Sequence, residues 1–291
     1  MVEPATLVSF GHGYSAQALA RLLLPAGWQV RGTTRSAEKA EVLRAQGIEA
    51  VIWPPENPDA LLAGATHLLM SAAPDEFGDP VLAHMARQIA AAAPQIRWMG
   101  YLSTTGVYGD WGGGHVDETS ECRATSRRGL ARIAAEEEWQ ALQDLPVHIF
   151  RLAGIYGPGR GPFAKVRAGT ARRIIKPGQL FSRTHVEDIA KVLEASIASP
   201  RPGAVYNVCD DEPAPPEDVL GYAAELLRLS PPPEIPFEDA EMSPMARSFY
   251  MDSRRVSNRL IREELGVDLA FPTYREGLAA LLAEEEASSP S

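Results

Sequence analysis

Short apolar runs recur along the chain, and stretches of helical periodicity separate most of them. Thr6–Phe10 (TLVSF), Trp28–Thr33 (WQVRGT), Glu49–Trp53 (EAVIW), Thr66–Ser71 (THLLMS), Ile96–Ser103 (IRWMGYLS), Val147–Leu152 (VHIFRL) and Ala204–Val208 (AVYNV) read as strands. Strands alternating with helices predict an α/β fold built on a doubly wound parallel sheet, with helices on both faces. Segments rich in Pro and Gly (GPGRGPF, SPRPG, EPAPPED) punctuate the second half, and LSPPPEIPFEDAEMSP reads as a loop-rich part of a smaller lobe.

The first strand runs directly into Gly11-His12-Gly13-Tyr14-Ser15-Ala16 and then the helical pattern AQALARLLLPAG. This spacing fits G-x-G-x-x-G/A, in which Gly11 allows the tight turn, Gly13 lets a pyrophosphate approach, and Ala16 packs closely. Backbone N–H groups of His12, Gly13, Tyr14 and Ser15 at the helix start then face the phosphates. NAD-binding proteins place an acid about twenty residues further on, for the ribose hydroxyls. Here the second strand ends instead in Thr34-Arg35-Ser36, a guanidinium and two hydroxyls suited to a 2′-phosphate, so NADP is expected over NAD. The plainer alternative is a solvated loop arginine.

The stretch SRRGLARIAAEEEWQAL, from Ser126, places apolar Leu130, Ile133, Ala134 and Leu142 on a helical spacing. Its charges oppose the helix dipole, because Arg127, Arg128 and Arg132 lead while Glu136, Glu137 and Glu138 follow. Pairing of Arg132 with Glu136 one turn on is one way to offset this.

Four further stretches bear on ancestry: YLSTTGVYG from Tyr101, RLAGIYGPG from Arg151, FSRTHVED from Phe181 and YNVCDDE from Tyr206. With the glycine turn they resemble, in order and spacing, the extended short-chain dehydrogenase/reductase superfamily of the NAD-dependent epimerase/dehydratase type. The resemblance implies a Rossmann domain over 1–157, rejoined by 185–208, and a substrate lobe from 158–184 and 209–291. It implies that Thr104 hydrogen-bonds a substrate oxygen, with Ser103 and Thr105 as close competitors. Hydroxyls that merely satisfy the backbone at a strand end are the alternative. Ala72, Ala73, Ser103, Ala153 and Ile155 are implied to border the cofactor, and Thr105 the substrate.

Aligning the family's S-x-Y-G-x-x-K on Ser126–Arg132 puts Arg128 where a catalytic tyrosine is expected and Arg132 at the lysine that holds the nicotinamide ribose. The resemblance is therefore to an atypical bacterial branch. Arg132 can keep the lysine's hydrogen-bonding task. Arg128 can stabilise an oxyanion, but a guanidinium stays protonated up to about pH 12 and does not exchange protons near neutrality. Tyr108 is the best substitute acid, while Tyr14 and Tyr156 are expected to pack or touch the cofactor. The Asp-Glu of sugar-nucleotide dehydratases is replaced by Thr105-Gly106, which argues against water elimination.

The net charge is −10, yet Leu145–Val186 contains no Asp or Glu and eight Lys or Arg. This basic island points to a small anionic substrate held by Arg160, Lys165, Arg173, Lys176 and Arg183, with Phe163 packing against it. A solvated face, or partners for acidic surface elsewhere, is the competing account. The acidic average argues against nucleic-acid or membrane partners. The two cysteines lack ligand or scaffold spacing and read as reduced thiols, the histidines lack ligand spacing, and no metal is expected. His185 is assigned a structural role. Neither a signal peptide nor a run of roughly 18 apolar residues stands out, so the expected location is cytoplasmic.

The expected function is an NAD(P)-dependent reductase or epimerase of a small anionic or nucleotide-linked substrate. Thr104 and Arg128 would polarise a carbonyl and Arg132 would anchor the ribose. A non-catalytic NADP-binding regulator is the alternative. The resemblance also implies a homodimer through DPVLAHMARQIAAAA and the arginine-led helix.

Overall fold

Each of the seven apolar runs forms a strand of one parallel sheet in the computed structural model, which describes residues 5–288. In chain order come β1 (Thr6–Phe10), α1 (Tyr14–Leu23), β2 (Gln29–Thr34), α2 (Ala37–Ala45), β3 (Glu49–Ile52), α3 (Pro58–Leu62), β4 (His67–Met70) and α4 (Pro80–Ala92). There follow β5 (Trp98–Thr104), β6 (His115–Val116), α5 (Arg127–Gln140), β7 (Val147–Leu152), β8 (Gly154–Tyr156), α6 (Phe163–Arg167), β9 (Arg173–Ile175) and β10 (Arg183–His185). The chain continues through α7 (Val186–Ala198), β11 (Val205–Val208), α8 (Pro216–Leu226), β12 (Glu234–Pro236), α9 (Pro244–Phe249), β13 (Arg255–Val256), α10 (Arg259–Leu265) and α11 (Tyr274–Ser288).

The main sheet has the order β11-β7-β5-β4-β1-β2-β3. Its direction of winding reverses between β1 and β4, the place where doubly wound folds open a ligand crevice at the C-terminal strand ends. Both faces are covered, which is why the strands read as nearly unbroken apolar runs. Leu7, Leu69, Trp98 and Phe150 pack with Leu19 of α1 and Val192 of α7 on one side. Val8, Leu68, Met99 and Ile149 pack with Met85 of α4 and Trp139 of α5 on the other.

Short strand pairs β8–β10, β9–β12 and β6–β13 build the second lobe. Its core gathers Phe163 and Val166 of α6, Ala223 and Ala224 of α8, and Tyr274 and Leu278 of α11. No helix among the described residues is long and apolar enough to cross a membrane.

Helix α5 forms where the periodicity predicts it, but it buries a different face. Leu130 is 53% exposed, and the inner face consists of Gly129, Ala135, Glu136 and Trp139. Two contacts rotate it. Gly129 lies so close to Ala124 that a Cβ there would collide, and Glu136 turns inward to Arg151 of β7 at 2.7 Å. The expected Arg132–Glu136 pair is therefore not made. Arg127 instead forms an ion pair with Glu76, while Arg132 donates to the Leu102 carbonyl at 2.6 Å and the Tyr101 hydroxyl at 3.1 Å. Ser126 caps the helix by accepting from the Gly129 amide at 3.1 Å.

Candidate functional site

The glycine turn leaves the C-terminal end of β1. Gly11 has φ +72° and lies against the Ala72 backbone, so a side chain here would be both strained and obstructed. Its amide donates to the Thr33 hydroxyl at 2.8 Å, and the His12 amide donates to the Thr33 carbonyl at 2.8 Å. The His12 amide is thus occupied by β2, which corrects its expected place among the phosphate-facing groups. The His12 ring is buried over Gly32, where a Cβ would collide with it, and burial lowers its pKa to about 4. It fixes the turn to β2 as a neutral side chain.

Gly13 is different. A Cβ there would meet nothing nearer than the Gly11 carbonyl oxygen at 3.5 Å, so intramolecular packing does not require the glycine. It precedes Tyr14 and Ser15 at the start of α1, which has no side-chain cap and no acid in its first turn. The open cradle and the uncapped helix end fit an anionic group such as a pyrophosphate. Beside it, the Arg160 guanidinium lies 4.5 Å from the centre of the Tyr14 ring, and the Tyr14 hydroxyl donates to the Pro158 carbonyl at 2.9 Å. Arg160 thus stands by the glycine turn and does not line the substrate cavity.

At the end of β2, Thr34 is buried and its hydroxyl accepts from the Ser36 amide at 3.4 Å. Ser36 caps α2 by accepting from the Lys39 amide at 3.2 Å and donates to Glu38 at 2.6 Å. Arg35 is exposed and has no hydrogen-bond or ion-pair partner among the described residues. Lys39, missed by sequence reasoning, adds a second cation one turn into the same helix.

A cavity of about 780 Å³ lies between the ends of β5 and β7 and the second lobe. Ala73, Thr104, Thr105, Ala153 and Ile155 line it from the sheet side, and Arg128 and Arg132 from α5. Ala72 stays behind this wall, packed on Gly11. The Thr104 hydroxyl accepts from the Gly106 amide at 3.1 Å and keeps its own proton free to donate. The Thr105 hydroxyl has no partner among the described residues. Ser103 is turned away, because its hydroxyl donates to Glu136 in the protein interior.

Tyr108 is excluded as the substitute acid. It is fully buried, donates to Asn207 at 2.7 Å and accepts from Arg151 at 3.0 Å, and burial pushes its pKa up to about 12. Burial works against the charge of Arg151, but the hydrogen bonds and charge of Glu136 outweigh it and hold that guanidinium above its ordinary value.

The basic island disperses. Of the five cations expected to hold substrate, Arg183 alone lines the cavity, where it donates to the Phe181 and Ala214 carbonyls at 2.8 and 3.0 Å. Arg173 pairs with Glu234 at 2.9 Å, Lys176 donates to the Tyr250 carbonyl, and Lys165 is exposed on α6. Phe163, at 1% exposure, belongs to the lobe core and does not pack on a ligand. Pairing with acids and carbonyls elsewhere absorbs most of these charges.

In their place the second lobe supplies Met245, Phe249, Tyr250, Asp252 and Arg254, none of which the sequence singled out. The cavity therefore carries Arg128, Arg132, Arg183 and Arg254 against a single carboxylate among its described lining, Asp252, which Arg254 binds at 3.3 Å. Burial draws the Arg183 and Arg254 guanidiniums below their ordinary value, yet both stay cationic at neutral pH. His185 caps α7 through the Glu187 amide at 3.3 Å and packs on Tyr156 and Phe271 at the lobe junction, a structural role.

Comparison with known proteins agrees with this geometry. The chain is 30% identical to Protein YeeZ of Escherichia coli over 279 residues, covering 90% of this chain and 94% of that protein. A functionally unknown conserved protein from Silicibacter pomeroyi is 59% identical, with a TM-score of 0.92 over 97% of this chain and 99% of that one. Human epimerase family protein SDR39U1 with NADPH has the same fold, with a TM-score of 0.72 at 17% identity over 96% of this chain and 99% of that one. Residues 7–209 match the NAD dependent epimerase/dehydratase family. The chain, an α/β protein with a seven-stranded parallel sheet and an open glycine turn at its switch point, belongs to that family.

Proposed function

We propose that this protein is an NADP-dependent reductase or epimerase acting on a small anionic or nucleotide-linked substrate. The reading is carried by three features of one chain: the open Gly13 cradle, the uncapped start of α1 and a four-arginine cavity at the ends of β5 and β7. Gly13, Tyr14 and Ser15 would receive the pyrophosphate, with Arg160 beside Tyr14, and Arg35 and Lys39 the 2′-phosphate. Arg132, whose Nη1 is spent on β5, still has Nε and Nη2 to offer a ribose hydroxyl. A bound nicotinamide supplies the hydride chemistry. Thr104 and Thr105 would orient a carbonyl oxygen, Arg128 would stabilise negative charge there, and Arg183 and Arg254 would draw in the anion.

Cofactor affinity read alongside turnover on carbonyl and sugar-nucleotide compounds tests this. Hydride transfer to at least one anionic member is expected. The regulator reading is supported by the absence of Tyr-x-x-x-Lys anywhere in the sequence, and NADP binding without any turnover would favour it. Arg35→Ala should weaken NADP about tenfold or more while leaving NAD unchanged, as titration calorimetry would read. An unaltered preference would remove Arg35 from the site.

A homodimer through α4 and α5 is part of the reading. Phe77 is 89% exposed and Leu130 53% exposed, and the Leu130 side of α5 faces a shallow pocket shared with Glu76 and Gly78. Sedimentation should give a dimer that Leu130→Glu converts to monomer. A wild-type monomer at tens of micromolar would end this part of the proposal.

A further inference from the structure

The cavity needs a group that gives and takes a proton, and α5 does not bring one, since its arginines hold their protons up to about pH 12. Among the described lining residues, Tyr156, Tyr250 and Asp252 remain. The Tyr156 hydroxyl is directed to the Thr273 carbonyl at 3.5 Å, and Asp252 is bound by Arg254. Tyr250 differs from both, because its hydroxyl has no hydrogen-bond partner among the described residues and is not sealed from solvent.

It follows directly on α9, at the cavity rim. Phe181 meets its ring edge-on with centroids 5.6 Å apart, and Phe237 lies against it at 5.4 Å. Its carbonyl accepts from Lys176 Nζ, so backbone and ring are held from behind while the hydroxyl is free. Burial and the Glu217 carboxylate raise the phenol above its ordinary value, and the Arg183 guanidinium opposes them. The cations of Arg247 and Lys176 both lie over the Phe237 ring, 4.7 and 5.2 Å from its centre. At neutral pH the group is a neutral phenol, the state of a proton donor.

We propose that Tyr250, brought by the second lobe, is the acid/base of this cleft, in the role that helix α5 leaves empty. The inference rests on the cofactor reading above. The step assigned to it is a proton transfer. Its O–H bond breaks as an O–H bond forms on the oxygen of a carbonyl undergoing reduction, the reductant being the nicotinamide dinucleotide of that reading. Solvent then restores the phenol. The reverse direction uses the phenolate as base.

The experiment is a carbon-13 NMR titration of protein labelled at tyrosine Cζ, run cofactor-free, with saturating NADP⁺ and with saturating NADPH. The Tyr250 resonance is identified by its absence in Tyr250→Phe, a substitution that removes no hydrogen bond. Tyr156→Phe is the control and must leave that resonance in place. A phenol facing the positively charged nicotinamide ring should ionise about one pH unit lower with NADP⁺ than with NADPH or no cofactor. A Tyr250 titration identical in all three states, with NADP⁺ binding measured in the same sample, would overturn the assignment and leave the cofactor reading intact. Absence of NADP⁺ binding would overturn the cofactor reading itself, and the assignment with it.

Discussion

Replacing Glu136 with alanine is expected to lower unfolding stability by about 3–5 kcal/mol, read as a shift of the urea midpoint. The reason is the charge it leaves behind. Glu136 and Arg151 have side chains only 5% and 8% exposed, and Arg151 reaches Glu136 through Nε and Nη2. Removing the acid strands a guanidinium that cannot shed its proton, in a place where water does not reach it. The same loss frees the Ser103 hydroxyl and loosens Tyr108, which Arg151 holds at 3.0 Å. Those two residues bracket Thr104 and Thr105, so cofactor or substrate binding should weaken along with stability. Glu136→Leu combined with Arg151→Met should recover most of the loss, because a well-packed apolar pair needs no desolvated charge. A stability loss of less than about 1 kcal/mol in Glu136→Ala would show that Arg151 is solvated and the pair is not a buried one.

This pair also explains which parts of the molecule were legible in the sequence. The seven sheet strands were, because each is covered on both faces and a covered strand reads as an unbroken apolar run. The glycine turn was legible for a related reason, since Gly11 answers a φ that other residues resist. The orientation of α5 was not. Its periodicity grouped Leu130 with the apolar positions and offered Glu136 to Arg132, while the fold exposes Leu130 and buries Glu136 in an ion pair whose partner lies on β7. The cavity lining failed for another reason. A run of cations says only that acids are absent nearby in sequence, and Arg173 and Lys176 found partners in β12 and after α9, more than fifty residues away. Tyr250 and Arg254 come from a loop with no periodicity to mark them, and only the closure of the second lobe brings them to Thr104.

Asp210→Asn should change stability in a strongly pH-dependent way. Asp210 is 2% exposed, its Oδ1 accepts from the Arg183 amide at 3.3 Å, and its Oδ2 has no partner among the described residues. Burial pushes its pKa up to about 8, helped by Asp211 and Glu212 and opposed by the hydrogen bond and charge of Arg183. The unfolded chain gives up the same proton near pH 4. Between these values the folded state binds more protons than the unfolded one, so the wild type loses this contribution as pH rises from about 4 to about 8. Asparagine does not titrate. The stability of the variant relative to wild type should therefore climb by on the order of 5 kcal/mol across that interval and level off above it. His12, His67 and His185, whose pKa values burial lowers to about 4, act in the opposite sense and destabilise the fold as pH falls below about 6.5. They are present in both proteins and cancel in the difference, which is why the pair of curves, and not the wild type alone, is the measurement. A difference that stays flat from pH 4 to 8 would mean that Asp210 is ionised in the fold at neutral pH. The distinction reaches the cavity, because an ionised Asp210 would neutralise Arg183, while a protonated one leaves that guanidinium free to meet an anion. Anion affinity of the wild type should accordingly fall above pH 8, and that of Asp210→Asn should not.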